Sequence, residues 1–597
     1  MDTVTLTIDG KSVTVPKGTT VLRAAIESGV SIPYYCYHPG LQVDGSCRVC
    51  VVKIEKMGKL QTSCSTACTD GMVVSTRDPE VVEARAGVLE FLLVNHPLDC
   101  PVCDKGGECP LQDYSYSFGP AESRMDFPRR TFDGEGVKAD VDFGPTLMLN
   151  RNRCILCTRC VRFMKEVDGD AQIGITDRGY GSEIATFQEE GVHSLVSGNL
   201  MDVCPVGAIT TRDYRFKSRP WDNPEAVDTI CTYCERGCNT TAWLKAKPEW
   251  AKGARLVRTT PRYNPAVNDY WMCDIGRFDY HWIEGNDRLG QPLVRDAAGT
   301  QQPVDWRTAL SKAAEGIAVD GTSRVRLLVS AHASLEELFV LGRLGGALGL
   351  PEDGVAISWR VREKPQPANT KFKVPAVDAP NVTGAADLGF PVLRGAGGAA
   401  DLAGFRAQIE SGTVKTLVVY DPGPAGSIGD VSWVIDARRS GRLSRLIVQG
   451  VLMTDLARAA DIVLPGTSSF EKDATYVNGQ GLLQASARAL PPPGDAREDW
   501  EIFVNLAAAL GTPLAYTTSA QVRADLAKAV AGNARYDGLA TIAFARPVTA
   551  KHWLQASNPS ERWKWDVMFQ DLPPVKFEGR PDPSTIPVSL IRSSKAD

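Results

Sequence analysis

Apolar and polar positions alternate strictly at the start of the chain: Val4, Leu6 and Ile8, then Asp9-Gly10, then Val13 and Val15. A period of two broken by an Asp-Gly pair predicts a β-hairpin over residues 2–15 with a tight turn. Thr20 is then placed to cap a helix that runs to about Ser28, and Gly29 to end it. Hairpin, helix and a following cysteine loop predict a small β-grasp, ferredoxin-like domain. Val88, Leu89, Leu92 and Leu93 give residues 80–95 an apolar helical face, and that helix delivers His96-Pro97 at its end. Residues 140–215 and 225–290 predict two compact cysteine-bearing units. Beyond about residue 300 the pattern changes to short unbroken apolar runs, Val325–Val329, Thr416–Tyr420 and Leu446–Val448. These read as buried strands, and helical stretches such as Trp500 to Leu510, closed by Gly511, alternate with them. The pattern predicts an open parallel α/β sheet. Residues 360–400, rich in Pro, Gly and Ala, predict a loop or insertion. Pro559, Pro573, Pro574, Pro581, Pro583 and Pro587 predict an extended tail.

Composition narrows the class. A chain of 597 residues is too long for one core. At 43% hydrophobic and 23% charged residues, most of it is expected to fold. A net charge of −5 gives no basic footprint for nucleic acid or for an anionic membrane surface. No apolar run reaches the roughly 20 residues of a spanning helix, and the N-terminus lacks the basic and apolar regions of a secretory signal. The expectation is a cytoplasmic chain without a direct membrane span, held at a membrane only through partners.

The 16 cysteines carry the chemistry. All lie between Cys36 and Cys273, at short spacings that suit metal ligands better than disulfides. Cys36, Cys47, Cys50 and Cys64 form C-x10-C-x2-C-x13-C, a variant of the plant-type 2Fe–2S spacing. Cys68, four residues on, is the alternative fourth ligand, and a zinc site is the competing reading. Cys100, Cys103 and Cys109 are one short of a 4Fe–4S set, and His96 can supply the fourth bond as a neutral imidazole; the plainer alternative is a structural histidine. Cys154, Cys157, Cys160 and Cys204-Pro205 match one cluster of a two-cluster ferredoxin. Met164, Ser194, Ser197 and Leu200 stand where the other cluster's four ligands belong, so one site is intact and one lost. Cys231, Cys234, Cys238 and Cys273 suit a further 4Fe–4S cluster, with a four-cysteine zinc site as the alternative. Cys68 is left over. His38, His193, His281, His332 and His552 are scattered and expected to be structural, and no catalytic constellation is expected. Gly342-Arg-Leu-Gly345-Gly346 lies in a helical stretch and is a poor dinucleotide fingerprint.

Tyr35-Cys36, Gly45-Ser46-Cys47-Arg48-Val49-Cys50, His96-Pro97-Leu98-Asp99-Cys100-Pro101-Val102-Cys103, Gly106-Gly107-Glu108-Cys109 and Arg153-Cys154-Ile155-Leu156-Cys157-Thr158-Arg159-Cys160-Val161-Arg162-Phe163 closely resemble the family of the iron–sulfur G subunit of bacterial NADH–quinone oxidoreductase, respiratory complex I. The match is dense over residues 1–290. Ala460-Asp461-Ile462-Val463-Leu464-Pro465-Gly466, Glu471-Lys472, Tyr476-Val477-Asn478 and Arg497-Glu498-Asp499-Trp500 resemble the molybdopterin-oxidoreductase-type domain that this family carries without its cofactor. The resemblance implies a multidomain α+β and α/β chain. Its parts would be a 2Fe–2S ferredoxin-type domain (1–78), a His/Cys 4Fe–4S domain (79–118) and a ferredoxin-like 4Fe–4S domain with one cluster lost (119–224). A 4Fe–4S domain of molybdopterin-oxidoreductase N-terminal type (225–290), a cofactor-free α/β domain (291–555) and an extended tail (556–597) would follow. It implies one 2Fe–2S cluster, three 4Fe–4S clusters and no molybdopterin.

It further implies electrons received from a flavin-bearing, NADH-oxidising subunit at the 2Fe–2S site. They would pass through the His/Cys site and then the Cys154 site to a ferredoxin-like subunit and on to quinone, with the Cys231 cluster off the main path. A small 2Fe–2S subunit is a further implied partner, and the implied place is the cytoplasmic side of the bacterial inner membrane. Pro110 after Cys109 and a short C-terminal domain depart from many relatives. The rival readings are an NAD-linked formate dehydrogenase α subunit and an iron-only hydrogenase. Both need ligands beyond residue 273, where no cysteine follows.

Overall fold

The computed structural model describes residues 2–126, 128–131, 140–223, 225–251, 253–545 and 548–549. The expected tail and His552 lie outside them. The chain divides into two compact units. The first contains the residues up to Asp222 with Pro367–Lys371, and the second contains Asn223–Gln366 with Phe372–Thr549.

In the first unit, β1 (Thr3–Ile8) and β2 (Lys11–Pro16) pair antiparallel with Val4 opposite Val15 and Leu6 opposite Val13. Asp9 and Gly10 take φ of 49° and 81°, the left-handed pair that a two-residue turn requires. α1 (Val21–Glu27) starts at Thr20, whose hydroxyl accepts the Arg23 N–H at 3.4 Å, and it buries Val21, Leu22, Ala24, Ala25 and Ile26. β3 (Val51–Ile54), β4 (Gln61–Thr62) and β5 (Val73–Ser75) complete a five-stranded sheet of order β2-β1-β5-β3-β4, with β1 and β5 parallel.

α2 (Pro79–Val94) follows the Asp78 cap. Its expected apolar face is only partly covered: Leu89 is buried, Val88, Leu92 and Leu93 are half-buried, and Phe91 is 82% exposed. Arg85 shares the inward face with Val81 and Leu89, buried and donating to the carbonyls of Val51 and Thr76. α3 (Pro110–Phe118) has Pro110 at its first position, where the missing N–H costs nothing. Then come β6 (Asp140–Asp142), β7 (Leu147–Asn150), α4 (Arg159–Phe163), β8 (Ile173–Thr176), β9 (Glu183–Thr186), α5 (Asn199–Val203) and β10 (Ile209–Thr211). β10, β7 and β6 form an antiparallel sheet, and β8 and β9 form a hairpin.

In the second unit, β11 (Glu225–Ile230), β12 (Asn239–Leu244) and β13 (Leu256–Pro261) form an antiparallel sheet, followed by α6 (Asp274–Phe278). β14 (Leu293–Arg295), β15 (Gln301–Pro303), α7 (Trp306–Asp320), β16 (Val325–Ser330), α8 (Leu335–Ala347) and β17 (Val355–Ser358) come next. Residues 360–400, expected to be a loop or insertion, carry short elements of their own. They contain the hairpin of β18 (Arg360–Val361) with β19 (Val377–Asp378), and α9 (Val382–Asp387). α10 (Ala403–Glu410), β20 (Thr416–Asp421), α11 (Ser432–Arg439), β21 (Arg445–Gly450), α12 (Asp455–Ala459) and β22 (Ile462–Pro465) continue the alternation. β23 (Ala474–Val477), β24 (Leu483–Ser486), α13 (Asp499–Ala509) and α14 (Ser519–Ala529) close it.

The main sheet has the order β15-β14-β22-β21-β20-β16-β17, parallel from β22 to β17. Its faces bury two apolar cores, one around Leu327, Val329 and Phe503, the other around Leu328, Leu417 and Val448. Burial of both faces is why these strands read as unbroken apolar runs. The stretch from Gly342 to Gly346 lies inside α8, as its helical pattern predicts.

Candidate iron–sulfur sites

All 16 cysteines are free. Among the described residues no three His, Cys, Asp or Glu side chains meet the spacing of a single-ion site.

The loop between α1 and β3, with Cys64 just beyond β4, gathers the first group. The Cys36 thiol lies in hydrogen-bonding reach of both Cys47 and Cys64, and Cys50 in reach of Cys64. Hydrogen bonds from the Cys47 and Cys64 thiols hold Cys36 below the usual thiol range. Arg48, between Cys47 and Cys50, takes φ 57°, which bends the loop around the sulfurs. Cys68 is buried in the β-grasp core. Burial pushes its thiol up, and its one charged influence is Glu27 rather than another thiol.

The second group sits between α2 and α3. His96 follows the end of α2, and its Nδ1 is buried without a hydrogen-bond partner. Burial, then the Arg153 charge, lowers this imidazole to about 4, so its ring is neutral at pH 7 and a lone pair is available. Arg153 also influences Cys103, whose thiol in turn influences Cys109. Cys103 and Cys109 are buried, whereas Cys100 is exposed, as are Leu98 (81%) and Val102 (55%).

The third group forms where the turn before α4 meets the end of α5. Cys154, Cys157, Cys160 and Cys204 all line one small pocket, whose other walls are apolar, Leu149, Ile155 and Ile209 among them. Leu156 and Thr158 take φ of 52° and 60°, and the Leu156 N–H donates to Cys154 Sγ at 3.4 Å. Burial pushes Cys154 up to about 12 and Cys157 up to about 11. Thiolates in such a pocket need a cation, which bound iron would supply. The positions of the lost cluster are filled. Met164, Ser197 and Leu200 are buried, Ser197 Oγ and Thr146 Oγ1 share a hydrogen bond of 2.7 Å, and Ser194 Oγ donates to Asp168 at 2.7 Å.

The fourth group belongs to the second unit. Cys231, Cys234 and Cys238 ride the turn between β11 and β12, and Cys273 caps α6. All four are buried, and each thiol but Cys234 is raised by burial and then by its fellow thiols. For Cys234, burial raises the thiol and the Lys364 charge pulls it back.

Two glycines test whether these groups have room for nothing but their ligands. A Cβ at Gly207 would lie 2.0 Å from Cys103 Sγ, and one at Gly276 would lie 2.6 Å from Cys231 Sγ. The donor sets, the neutral unpartnered imidazole and these close approaches all fit bound iron–sulfur clusters.

The first three groups adjoin one another. Arg162 in α4 donates from Nη2 to the carbonyls of Cys36 and Cys157, and from Nη1 to the Gln42 carbonyl at 2.6 Å. Thr158 Oγ1 donates to Asp44 at 3.1 Å, and the Gln42 N–H donates to Glu166 at 2.8 Å. The first loop is thus clamped directly onto the third. The third meets the second through Gly207 against Cys103 and through the Arg153–Asp99 ion pair at 2.9 Å. The first reaches the second through Tyr35, a buried ring close to both Cys47 and Cys109. Spacing arguments pointed to none of Arg153, Arg159, Arg162, Tyr35, Gly207 and Gly276. The arginines stand between or beside ligand cysteines in an otherwise apolar run, and that was their one signal.

The main sheet of the second unit has its own possible site. Its winding reverses between β16 and β20, and ligands of such folds lie in the crevice outside the strand ends at that point. Around that point the chain's own side chains bond one another. His332 Nε2 meets the Asp378 carbonyl at 2.8 Å, Ser427 Oγ donates to Asp421 at 2.6 Å, and Arg360 donates to Asp378 at 3.0 Å.

Fold and sites together define an iron–sulfur protein, with ferredoxin-type domains joined to a molybdopterin-oxidoreductase-type α/β domain. Family models agree segment by segment. Residues 1–79 match a 2Fe–2S iron–sulfur cluster binding domain, and residues 85–124 match the NADH-ubiquinone oxidoreductase-G iron–sulfur binding region. Residues 144–210 match the ferredoxin-like domain of NADH-quinone oxidoreductase subunit 3, and 407–509 match molybdopterin oxidoreductase. The chain is 41% identical over 344 residues to the NADH-quinone oxidoreductase G subunit of Streptomyces coelicolor, which covers 57% of this chain and 39% of that one. It is 42% identical over 304 residues to the second G subunit of NADH-quinone oxidoreductase from Rhizobium meliloti, covering 51% and 34%. It therefore spans well under half the length of these bacterial relatives. It is 30% identical over 630 residues to the mitochondrial NADH-ubiquinone oxidoreductase 78 kDa subunit of Neurospora crassa, covering 87% of this chain and 82% of that one. A crystal structure of an NAD+-reducing [NiFe]-hydrogenase in the H2-reduced state matches at 32% identity over 37% of this chain and 93% of that one, with a TM-score of 0.32. The chain belongs to the family of the NADH-quinone oxidoreductase G subunit and the mitochondrial 78 kDa subunit.

Proposed function

We propose that this chain is the electron-relaying iron–sulfur subunit of an NADH:quinone oxidoreductase. It would hold one 2Fe–2S cluster on Cys36, Cys47, Cys50 and Cys64, and three 4Fe–4S clusters. Their ligands would be His96, Cys100, Cys103 and Cys109; Cys154, Cys157, Cys160 and Cys204; and Cys231, Cys234, Cys238 and Cys273. The observation that carries the reading is the clamp of Arg162, which ties the backbone of Cys36 to that of Cys157.

Bound clusters supply one-electron carriers that need no substrate pocket. The chain's own residues ligate them, exclude water and fix their separation. Arg162 and Thr158 hold the first loop to the third, Gly207 lets the second approach the third, and apolar walls keep solvent from Cys154 to Cys160.

We propose an order of sites different from the one the resemblance implies. The direct bridge runs from the first group to the third, and the second lies on an exposed loop at Leu98 to Val102. The relay is therefore ordered from the 2Fe–2S site through the Cys154 site to the His96 site, which hands electrons to a ferredoxin-like partner. A flavin-bearing NADH-oxidising subunit and a small 2Fe–2S subunit are the partners on the entry side. Among the described residues no helix is long and apolar enough to cross a membrane. We place the chain peripherally, on the cytoplasmic face of the bacterial inner membrane. We expect the α/β domain to carry no molybdopterin, and we set the formate dehydrogenase alternative aside because no cysteine follows Cys273 to ligate its metal.

In the assembled complex, Cys154→Ala abolishes NADH–quinone activity and leaves flavin-site reduction of ferricyanide intact. Quinone reduction that persists in an assembled variant would take the Cys154 site off the path.

A further inference from the structure

Arg159 lies between the ligands Cys157 and Cys160, and α4 carries its side chain inward. It is one of the largest fully buried side chains in the molecule, 1% exposed. A guanidinium cannot shed its proton to enter an apolar interior, as a lysine or histidine can, so a buried one needs anions or acceptors around it. Arg159 has almost none. Nη1 donates to the Val203 carbonyl at a long 3.4 Å, while Nε and Nη2 are buried without a hydrogen-bond partner. Its sequence neighbours are compensated. Arg153 pairs with Asp99 at 2.9 Å, and Arg162 donates to three carbonyls and to Thr158.

The Arg159 charge acts on Cys157, Tyr114 and His38. Burial pushes the Cys157 thiol up, and Arg159 is the strongest influence drawing it back. The same holds for the Tyr114 phenol. Burial, then Arg159, disfavours the protonated form of His38. Tyr114 and His38 are therefore neutral at pH 7, and neither balances the guanidinium. The anion that can do so is the thiolate of Cys157, with those of Cys154, Cys160 and Cys204 around the same pocket. Val203, the one acceptor of Arg159, adjoins Cys204 in sequence.

We propose that Arg159 is the buried counter-cation of the cluster held by Cys154, Cys157, Cys160 and Cys204, and that its charge raises that cluster's reduction potential. The inference rests on the reading under Proposed function. Four thiolates leave a 4Fe–4S assembly anionic, and uptake of one electron from the preceding carrier adds one negative charge. A fixed positive charge in a low-dielectric pocket stabilises the reduced form more than the oxidised one. Arg159 itself gains and loses neither proton nor electron, and the electron leaves to the next carrier. Arg159 is thus a positioning residue that acts on the cluster's electrostatics.

The test is an EPR-monitored redox titration of the assembled complex, wild type against Arg159→Met, Arg159→Gln and Arg159→Lys, with iron counted per chain. The neutral variants keep their iron and shift the reduction equilibrium of the third cluster toward the oxidised form by tenfold or more, about 59 mV for a one-electron couple. Arg159→Lys restores most of that shift, and the Cys231 cluster does not move. If both neutral variants lose the third cluster's iron while Arg159→Lys keeps it, the charge requirement is expressed in binding and the proposal stands. An unshifted potential in an iron-replete neutral variant overturns it. So does a lysine variant that shifts as far as the neutral ones or that also loses its iron. A wild-type complex with no third-cluster signal at all would instead overturn the relay reading on which the proposal rests.

Discussion

Gly207 and Cys103 are 104 residues apart in the chain, yet one methyl group decides whether they fit. The Cβ of Gly207→Ala would lie 2.0 Å from Cys103 Sγ, with the Lys105 side chain at 3.3 Å. The sulfur must move, and a ligand set that closes on a cluster has no slack for it. Gly207→Ala is expected to lose the iron of the His96 site, about four per chain, while the Cys231 site keeps its own. Iron analysis with EPR checks this. A variant with full iron content would show that Cys103 is not confined as described.

Asp421 gives a pH-dependent expectation. Full burial, eased only in part by Ser427 Oγ and the Gly423 N–H, pushes its carboxyl up from 3.8 to about 6. A carboxyl raised on folding stabilises the fold in its protonated form. That contribution is complete below about pH 4 and is lost as pH rises through 6. Asp421→Asn keeps the shape and removes the charge, so it should be more stable than the wild type at pH 7.5 by up to about 3 kcal/mol, with the difference closing toward pH 4. Thermal unfolding at the two pH values measures it, and equal midpoints at pH 7.5 would contradict it.

At this scale the candidate ligands, the cysteines and His96, stand out because their spacing is local. Arg159, Arg162 and Tyr35 do not, because their roles depend on which loops meet in space.

Between elements, the second unit is tied by buried ions as well as by apolar cores. Lys472 bonds Glu337 of α8 and reaches Asp499 of α13 at 2.9 Å, and Arg523 of α14 reaches Glu336 at 3.2 Å. All five side chains are buried. Buried pairs add little net stability over apolar packing, yet removing one partner leaves the other stranded. Lys472→Met strands two carboxylates and should cost about 3–5 kcal/mol. Lys312→Ala breaks only an exposed pair with Glu315 and should leave the midpoint unchanged. Equal, small effects in denaturant titrations would remove the ionic link from the account.

Elements with strong periodicity were legible: the hairpin of β1 and β2, the strands β16, β20 and β21, and the helix α13. What the pattern hid was short or internally polar. β18 and β19 have two residues each, too few to show a period. α2 hid part of its inward face because a polar side chain, Arg85, shares it with Val81 and Leu89.

For the whole molecule, the two units carry different shares of the chemistry. Three of the candidate ligand groups lie in the first, joined by direct contacts, and one lies in the second. The change of pattern near residue 300 marks the start of the α/β sheet in the second unit. The relay order we propose rests on Arg162 and on the exposure of the second loop, which no local pattern in the sequence shows.

The central claim is that these 15 cysteines and one histidine hold four iron–sulfur clusters and nothing else. The most direct test is the content of iron, zinc, molybdenum and tungsten per chain in anaerobically purified protein. The account predicts about 14 iron atoms, from one 2Fe–2S and three 4Fe–4S clusters, without stoichiometric zinc, molybdenum or tungsten. Stoichiometric zinc with a matching deficit of iron would turn one of the four-cysteine groups into a structural metal site. Molybdenum or tungsten at one per chain would make the second unit catalytic and contradict the relay.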